Sequence, residues 1–286
     1  MVNKSGRAIL AFAIVLAVAG SGQASRPQPP TLTDLLNRLE TYLDDYIQSL
    51  SLLVAEEQYE QQLVIGGRAE SKRVLMSDYG MLRLPAAPVW SGFRDTFLVD
   101  GQPVRRREGR LEQLLTDGSD EAVEQARRIA EDNAEYNLGS DLIYRTINVP
   151  MLTLDLLSPG NRDRLTFRRR GHEVVNQREV WKIDFVERAP ASLIRTPAGP
   201  DQITRGSVWI DAAAGTVVKT YLNVVIGPTS QARITVEYAT DAKLGFFVPV
   251  RMHESYERSW SRIVTTATYT NYRQFSTSVR FVGGEK

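Results

Sequence analysis

Apolar residues recur at spacings of three and four near the start of the chain: Leu32, Leu35, Leu36, Leu39, Leu43, Tyr46, Ile47, Leu50 and Leu53. That period draws one apolar stripe along a helix, with Asp34, Arg38, Glu40, Asp44 and Asp45 on its other faces. Thr31 or Thr33 supplies the N-cap, and Pro29 and Pro30 stop the helix from extending backward. A helix with one apolar face must lie on another layer. The pattern then changes to alternation. Residues 53–65 and 72–84 flank Gly66-Gly67 and predict a hairpin, while Asp100-Gly101 turns the strand around Phe93 to Val99 into a return strand.

Five later segments alternate clearly. Trp181, Ile183 and Phe185 share one face of a strand, as do Val208 and Ile210; Val218, Leu222, Val224 and Ile226; Ala232, Ile234, Val236 and Tyr238; and Val248, Val250, Met252 and Tyr256. Asp211 to Gly215 forms a tight link. Half-wet strands joined by short turns predict a large antiparallel sheet. Between the two strand sets, Ser119 is placed to cap a helix over 120–138, with Val123, Ala126, Ile129, Ala130 and Ala134 on one side and Gly139 as its stop. A second short helix starts near Pro150 and runs through Met151, Leu154 and Leu157 until Pro159. No internal repeat or long linker divides the chain. The expected fold class is α+β: one domain over 32–286, a large curved antiparallel β-sheet covered by a few α-helices, with a helical insertion near 110–158.

The first residues change the picture of the ends. Lys4 and Arg7 precede an uninterrupted apolar run over 8–19, which is shorter than the roughly 20 residues a membrane span needs. Small residues at Gly22 and Ala24 fit a signal peptide, 1–24, cleaved after Ala24, with 25–31 as a flexible leader. The expected localisation is therefore exported, periplasmic or extracellular in a bacterium, with no transmembrane segment in the mature chain. Of 35 basic and 34 acidic residues, the signal takes two basic ones, and a nearly neutral mature chain offers no field for nucleic acid. The chain has no cysteine and two histidines, which excludes disulfides, cysteine zinc sites, thiol nucleophiles and a lipidated N-terminal cysteine.

Recognisable catalytic chemistry is not written here. His172-Glu173 and His253-Glu254 are adjacent pairs, and adjacent strand residues point to opposite faces. The serine-hydrolase elbow G-x-S-x-G is absent from the mature chain, as are H-E-x-x-H and the phosphate loop. Asp117 to Asp120 lacks the remaining oxygen ligands of a calcium loop, so helix capping accounts for Ser119 and Asp120. Arg105 to Arg107 and Arg168 to Arg170 each split across two strand faces, which leaves Arg169 on the face of Leu165 and Phe167. No cofactor and no metal site are expected, and the chain reads as a non-enzyme.

Aromatic residues concentrate in the later strands. They either pack under the helices or line the concave side of a curved sheet, where an apolar cavity would form. The ligand-lining candidates are Trp181, Phe185, Trp209, Tyr221, Tyr238 and Tyr256, with Arg169. The order of signal peptide, amphipathic helix, long antiparallel sheet and midway helices resembles the periplasmic Lol-type lipoprotein carriers and the envelope-stress regulators that share their half-barrel. Arg145-Thr146-Ile147-Asn148-Val149-Pro150, Leu193-Ile194-Arg195-Thr196-Pro197, and Val208-Trp209-Ile210-Asp211 with Gly215 are similar to a poorly characterised family of bacterial exported proteins. The carrier resemblance implies a cavity between sheet and helices that holds acyl chains, with an arginine helping to gate it. No motif assigns that arginine, and Arg169 is the geometric candidate.

The leading expectation is an exported protein that binds a hydrophobic small molecule, lipid or lipidated protein without catalysis. The alternatives are an interaction or sensor module with a packed core and an envelope protein partner, and an enzyme whose site is assembled from scattered polar residues.

Overall fold

The computed structural model describes residues 28–49, 52–84, 87–104, 125, 128–129, 131–139, 147–188, 194, 204–225 and 229–274. The expected signal peptide, the first part of the leader, the Ser119 cap and Arg105 to Arg107 lie outside the described residues. Thr31–Lys286 forms one compact unit. Its first helix, α1 (Leu32–Ser49), is started by a reciprocal cap. The Asp34 amide donates to the Thr31 hydroxyl, and Thr31 donates from its amide and hydroxyl to the Asp34 carboxylate at 2.9 and 2.7 Å. Its stripe of Leu35, Leu36, Leu39, Leu43 and Tyr46 is buried.

Eleven strands then form one antiparallel sheet: β1 (Leu52–Ile65), β2 (Arg68–Leu84), β3 (Ala87–Val99), β4 (Gln102–Pro103), β5 (Leu165–Val175), β6 (Arg178–Glu187), β7 (Thr204–Asp211), β8 (Val217–Val225), β9 (Ser230–Thr240), β10 (Phe247–Arg258) and β11 (Ser261–Gln274). The spatial order is β4-β3-β2-β1-β11-β10-β9-β8-β7-β6-β5, so the first and last long strands pair in the middle and the sheet does not close. Both edges are blunted. Strand β4 is two residues long and ends in a proline, which lacks an N–H to offer. Strand β5 carries Arg168 to Arg170 and a register shift between Arg169 and Gly171, both of which resist pairing with another chain.

The midway helices end earlier than their sequence pattern predicts. Helical residues of the insertion end at Ala134, not at 138, and Tyr136 and Asn137 instead donate back to Asn133 and Ala134 in tight turns. Sheet contacts take over there: the Tyr136 carbonyl accepts from Arg73 at 3.0 Å and Gln61 at 3.3 Å, and Gln61 accepts from the Leu138 amide at 3.0 Å. Helix α2 is confined to Leu152–Leu156, and a 3-10 turn follows at Pro159–Arg164.

Helix α2 touches both β3 and β8, which are six strand spacings apart in the sheet order. In a flat sheet those strands would stand about 29 Å apart at ~4.8 Å per spacing. A five-residue helix is only about 7.5 Å long. The sheet must therefore curl around α2. Its inner face and the helices share one continuous core that includes Leu39, Leu43, Leu53, Tyr59, Met151, Leu154, Phe185, Ile234 and Tyr256.

Candidate functional site

The inner face gathers some of the expected aromatics and separates others. Phe185, Tyr238 and Tyr256 are buried in the main core, and Trp181 is half-buried at its margin. Arg169 lies over the Trp181 ring, 5.0 Å from its centroid, and His172 is tilted against the same ring at 5.5 Å. Trp209 and Tyr221 fall on the opposite face, since Val208, Ile210 and Leu222 beside them point inward. There Trp209 packs with Val180 and Val218, donates to Glu173 at 2.7 Å and lies between the ammonium groups of Lys182 and Lys219. His253 is exposed, next to the Thr266 hydroxyl at 3.3 Å.

The inner face also holds a charged cluster that periodicity did not disclose. Arg94 on β3 donates Nε and Nη2 to the two oxygens of Glu57 on β1, at 2.5 and 2.9 Å. Its guanidinium also lies over the Tyr59 ring at 4.2 Å and near the Tyr79 ring at 5.0 Å. Glu57 is fully buried. Two strands away, Glu254 on β10 is equally buried and accepts from Tyr59 at 2.6 Å and from the Thr265 hydroxyl. Burial pushes the Glu57 carboxyl above its usual range, against the pull of Arg94. Burial works against the Arg94 charge as well, but Glu57, Tyr59 and Tyr79 outweigh it and hold the guanidinium protonated. A buried pair of this kind is expensive to desolvate, so its two good hydrogen bonds are what make it tolerable.

Residues 147–157 close over this face. Arg94 reaches the Asn148 carbonyl with Nη2 at 3.5 Å, and Tyr238 on β9 donates to the Pro150 carbonyl at 2.7 Å. Ile147, Val149 and Leu152 pack against the core, and Met151, Leu154, Leu156 and Leu157 are buried in it. Tyr46 of α1 meets the Met151 sulfur at 4.0 Å. The segment is thus held by apolar contact and by a few polar ties from distant strands. Beyond it, an open recess of about 410 Å³ is lined by Glu56, Asp241, Ala242, Lys243, Asn271, Tyr272 and Arg273. Tyr272 also belongs to the core, so its ring is the wall between the recess and the interior.

The missed residues had a signal. Strand β1 reads Glu56-Glu57-Gln58-Tyr59-Glu60-Gln61-Gln62, polar on both faces, although it lies mid-sheet. A polar face on a central strand needs polar partners, and Arg94 and the 136–138 turn supply them. Glu254 was equally visible, between Met252 and Tyr256 on their own face. Among the described residues, no group of three or more His, Asp or Glu side chains is placed to share a metal ion, and no helix is long and apolar enough to cross a membrane. The arrangement offers an apolar interior with a small number of buried donors, a binding chemistry.

No family model and no curated protein matches the chain. Among solved structures, a DUF1329 family protein from Desulfovibrio piger is similar at 12% identity and a TM-score of 0.39, over 90% of this chain and 96% of that one. A putative outer membrane lipoprotein-sorting protein domain from Vibrio parahaemolyticus aligns at 13% identity and 0.34, over 84% and 93%. A LolA superfamily protein from Nitrosomonas europaea aligns at 12% identity and 0.33, over 87% and 95%.

Proposed function

We propose that the mature chain is an exported bacterial envelope protein that binds an acyl chain, a lipid or a lipidated protein between sheet and helices, without catalysis. The observation that carries this reading is the cover: an apolar sheet face curled around 147–157, a segment containing only a five-residue helix and tied down by Arg94 and Tyr238. Lifting that segment exposes apolar surface on both sides of it. A ligand chain that takes its place gains about 0.8 kcal/mol for each buried methylene. Phe185, Tyr238 and Tyr256 would line the opened space, with Trp181 and Arg169 at its rim, while Trp209 and Tyr221 would meet a ligand only from the other face.

Mass spectrometry of the natively purified protein tests the reading, with a co-purifying acyl species as the expected result. Absence of any bound mass, together with no response of a fluorescent fatty-acid probe, overturns it. N-terminal sequencing of the exported protein is expected to begin at Ser25. A second reading, a packed module for an envelope protein partner, is favoured by how completely the interior is filled: Leu35, Leu43, Leu53 and Tyr59 are all 0% exposed. Crosslinking in the envelope to one defined partner, with no bound lipid, is the outcome that selects it.

A further inference from the structure

Tyr79 is 1% exposed, and its hydroxyl has no hydrogen-bond partner among the described residues. A buried phenol in that state is costly to keep and calls for a reason. Its neighbour Tyr59 on the same face satisfies its own hydroxyl with Glu254, so the ring's surroundings alone do not supply one. The direction of the Tyr79 hydroxyl does. A Cβ placed on Gly92 would stand 1.9 Å from the Tyr79 oxygen and 3.3 Å from Cγ1 of Val149, so the hydroxyl lies over the bare glycine, beneath the 147–157 segment. The adjoining carbonyl of that segment, Asn148, is the one Arg94 reaches at 3.5 Å, the long limit of a hydrogen bond.

We propose that Tyr79 and Arg94 form a carbonyl-reading site for the uncharged end of an acyl ligand, an ester or an amide, and that the Asn148 carbonyl occupies part of it while the segment is closed. This rests on the apolar-ligand reading above and adds the chemical class. Two donors lie under this part of the segment: the Tyr79 hydroxyl, without a partner among the described residues, and Arg94 Nη2, which is bonded to Glu57 at 2.9 Å and reaches the Asn148 carbonyl only at 3.5 Å. The charge count excludes an acid. The single guanidinium is already matched by both oxygens of Glu57, and Glu254 places a second buried carboxyl close enough for the two to repel. A ligand carboxylate would be a third acidic group against one cation in a low-dielectric interior. An ester carbonyl accepts both hydrogen bonds and adds no charge.

The test is displacement of N-phenyl-naphthylamine from the full mature chain by methyl laurate and by laurate, at about pH 8, where laurate is ionised. The ester is intrinsically the more apolar competitor, so the decisive quantity is how the ester-to-acid ratio changes on mutation. Tyr79→Phe removes one donor and is expected to cut the ratio about five- to ten-fold without lowering the melting temperature. Gly92→Ala, whose Cβ displaces the hydroxyl, is expected to cut it by a separate route. Trp209→Phe, on the opposite face of the sheet, removes a satisfied N–H, and should lower the melting temperature while leaving the ratio alone. An unchanged ratio in both Tyr79→Phe and Gly92→Ala, or wild-type protein that prefers laurate, overturns the carbonyl site and leaves apolar binding standing. If the probe is not taken up at all, the apolar-ligand reading fails and the carbonyl site falls with it.

Discussion

Arg94 and Glu57 show how little the sign of a residue's charge says about its worth until its surroundings are known. Each neutralises the other in a place where neither could remain alone. Arg94→Met strands a buried carboxylate and is expected to cost about 3–5 kcal/mol in urea unfolding. Adding Glu57→Leu removes the stranded charge and should recover most of that loss; single and double variants of equal stability would show that the two do not act as a pair. The outer carboxylates behave differently. Burial raises the Asp184 carboxyl, but hydrogen bonds from Ser207 and Arg170 prevail and hold it below its ordinary value of 3.8. Glu257 is held below 4.5 in the same way by Gln231 and Arg233, again against burial. A depressed folded-state value means stability that is present above the unfolded value and lost as pH falls through the folded one. Thermal unfolding measured from about pH 6 down to about pH 3 should therefore show an acid loss that Asp184→Asn together with Glu257→Gln makes shallower. A loss of unchanged steepness in that variant would assign it elsewhere.

At the scale of elements, α1 is positioned by the β7–β8 turn as much as by its leucines. Gly215 has φ +72, and a Cβ on it would lie 2.3 Å from the Arg38 carbonyl oxygen, backbone against backbone. The turn answers with a polar contact, since Arg38 donates to the Ala212 carbonyl. Gly215→Ala should cost about 1–3 kcal/mol more than Gly101→Ala. Gly101 has the same backbone strain, with φ +78, and nothing within reach of a Cβ. Equal losses for the two substitutions would mean that α1 can shift without cost. Elements of this kind were legible in the sequence because period is a local property. The stripe of α1, the hairpin at Gly66-Gly67 and most of the alternation of β6 to β10 could be read residue by residue; Val218, expected beside Leu222 and Val224, instead faces outward with Trp209, because it is the unpaired residue of a register shift in β8. The insertion helix was drawn too long because its last turn is undone by Gln61 and Arg73, which lie more than sixty residues away. The Arg94–Glu57–Glu254 cluster stayed hidden for the same reason: three strands contribute to it, and only pairing and curl bring them together. Trp209 and Tyr221 alternate correctly, but periodicity does not say which of two faces is the inner one.

For the whole molecule, the pairing of β1 with β11 matters most, since it joins the early and late strand sets into one open sheet whose two arms, through β3 and β8, both reach 147–157. Such a sheet has no closed wall of hydrogen bonds to keep the arms together. The segment between them carries that task, with Arg94 pulling from β3 and Tyr238 from β9. Binding by displacement requires it to open at a free energy well below that of global unfolding, as local units of proteins do. Its amides can report this, because Leu152, Leu154, Asp155 and Leu157 donate within the segment itself. In hydrogen exchange, peptides spanning 147–157 are expected to exchange ahead of those from β10 and β11. Tyr238→Phe, which removes the 2.7 Å bond to Pro150, should speed the segment further and leave those strands unchanged. If 147–157 instead exchanges together with β10 in both proteins, the cover does not open on its own. The interior is then reachable only by unfolding, and a ligand would have to be enclosed as the chain folds.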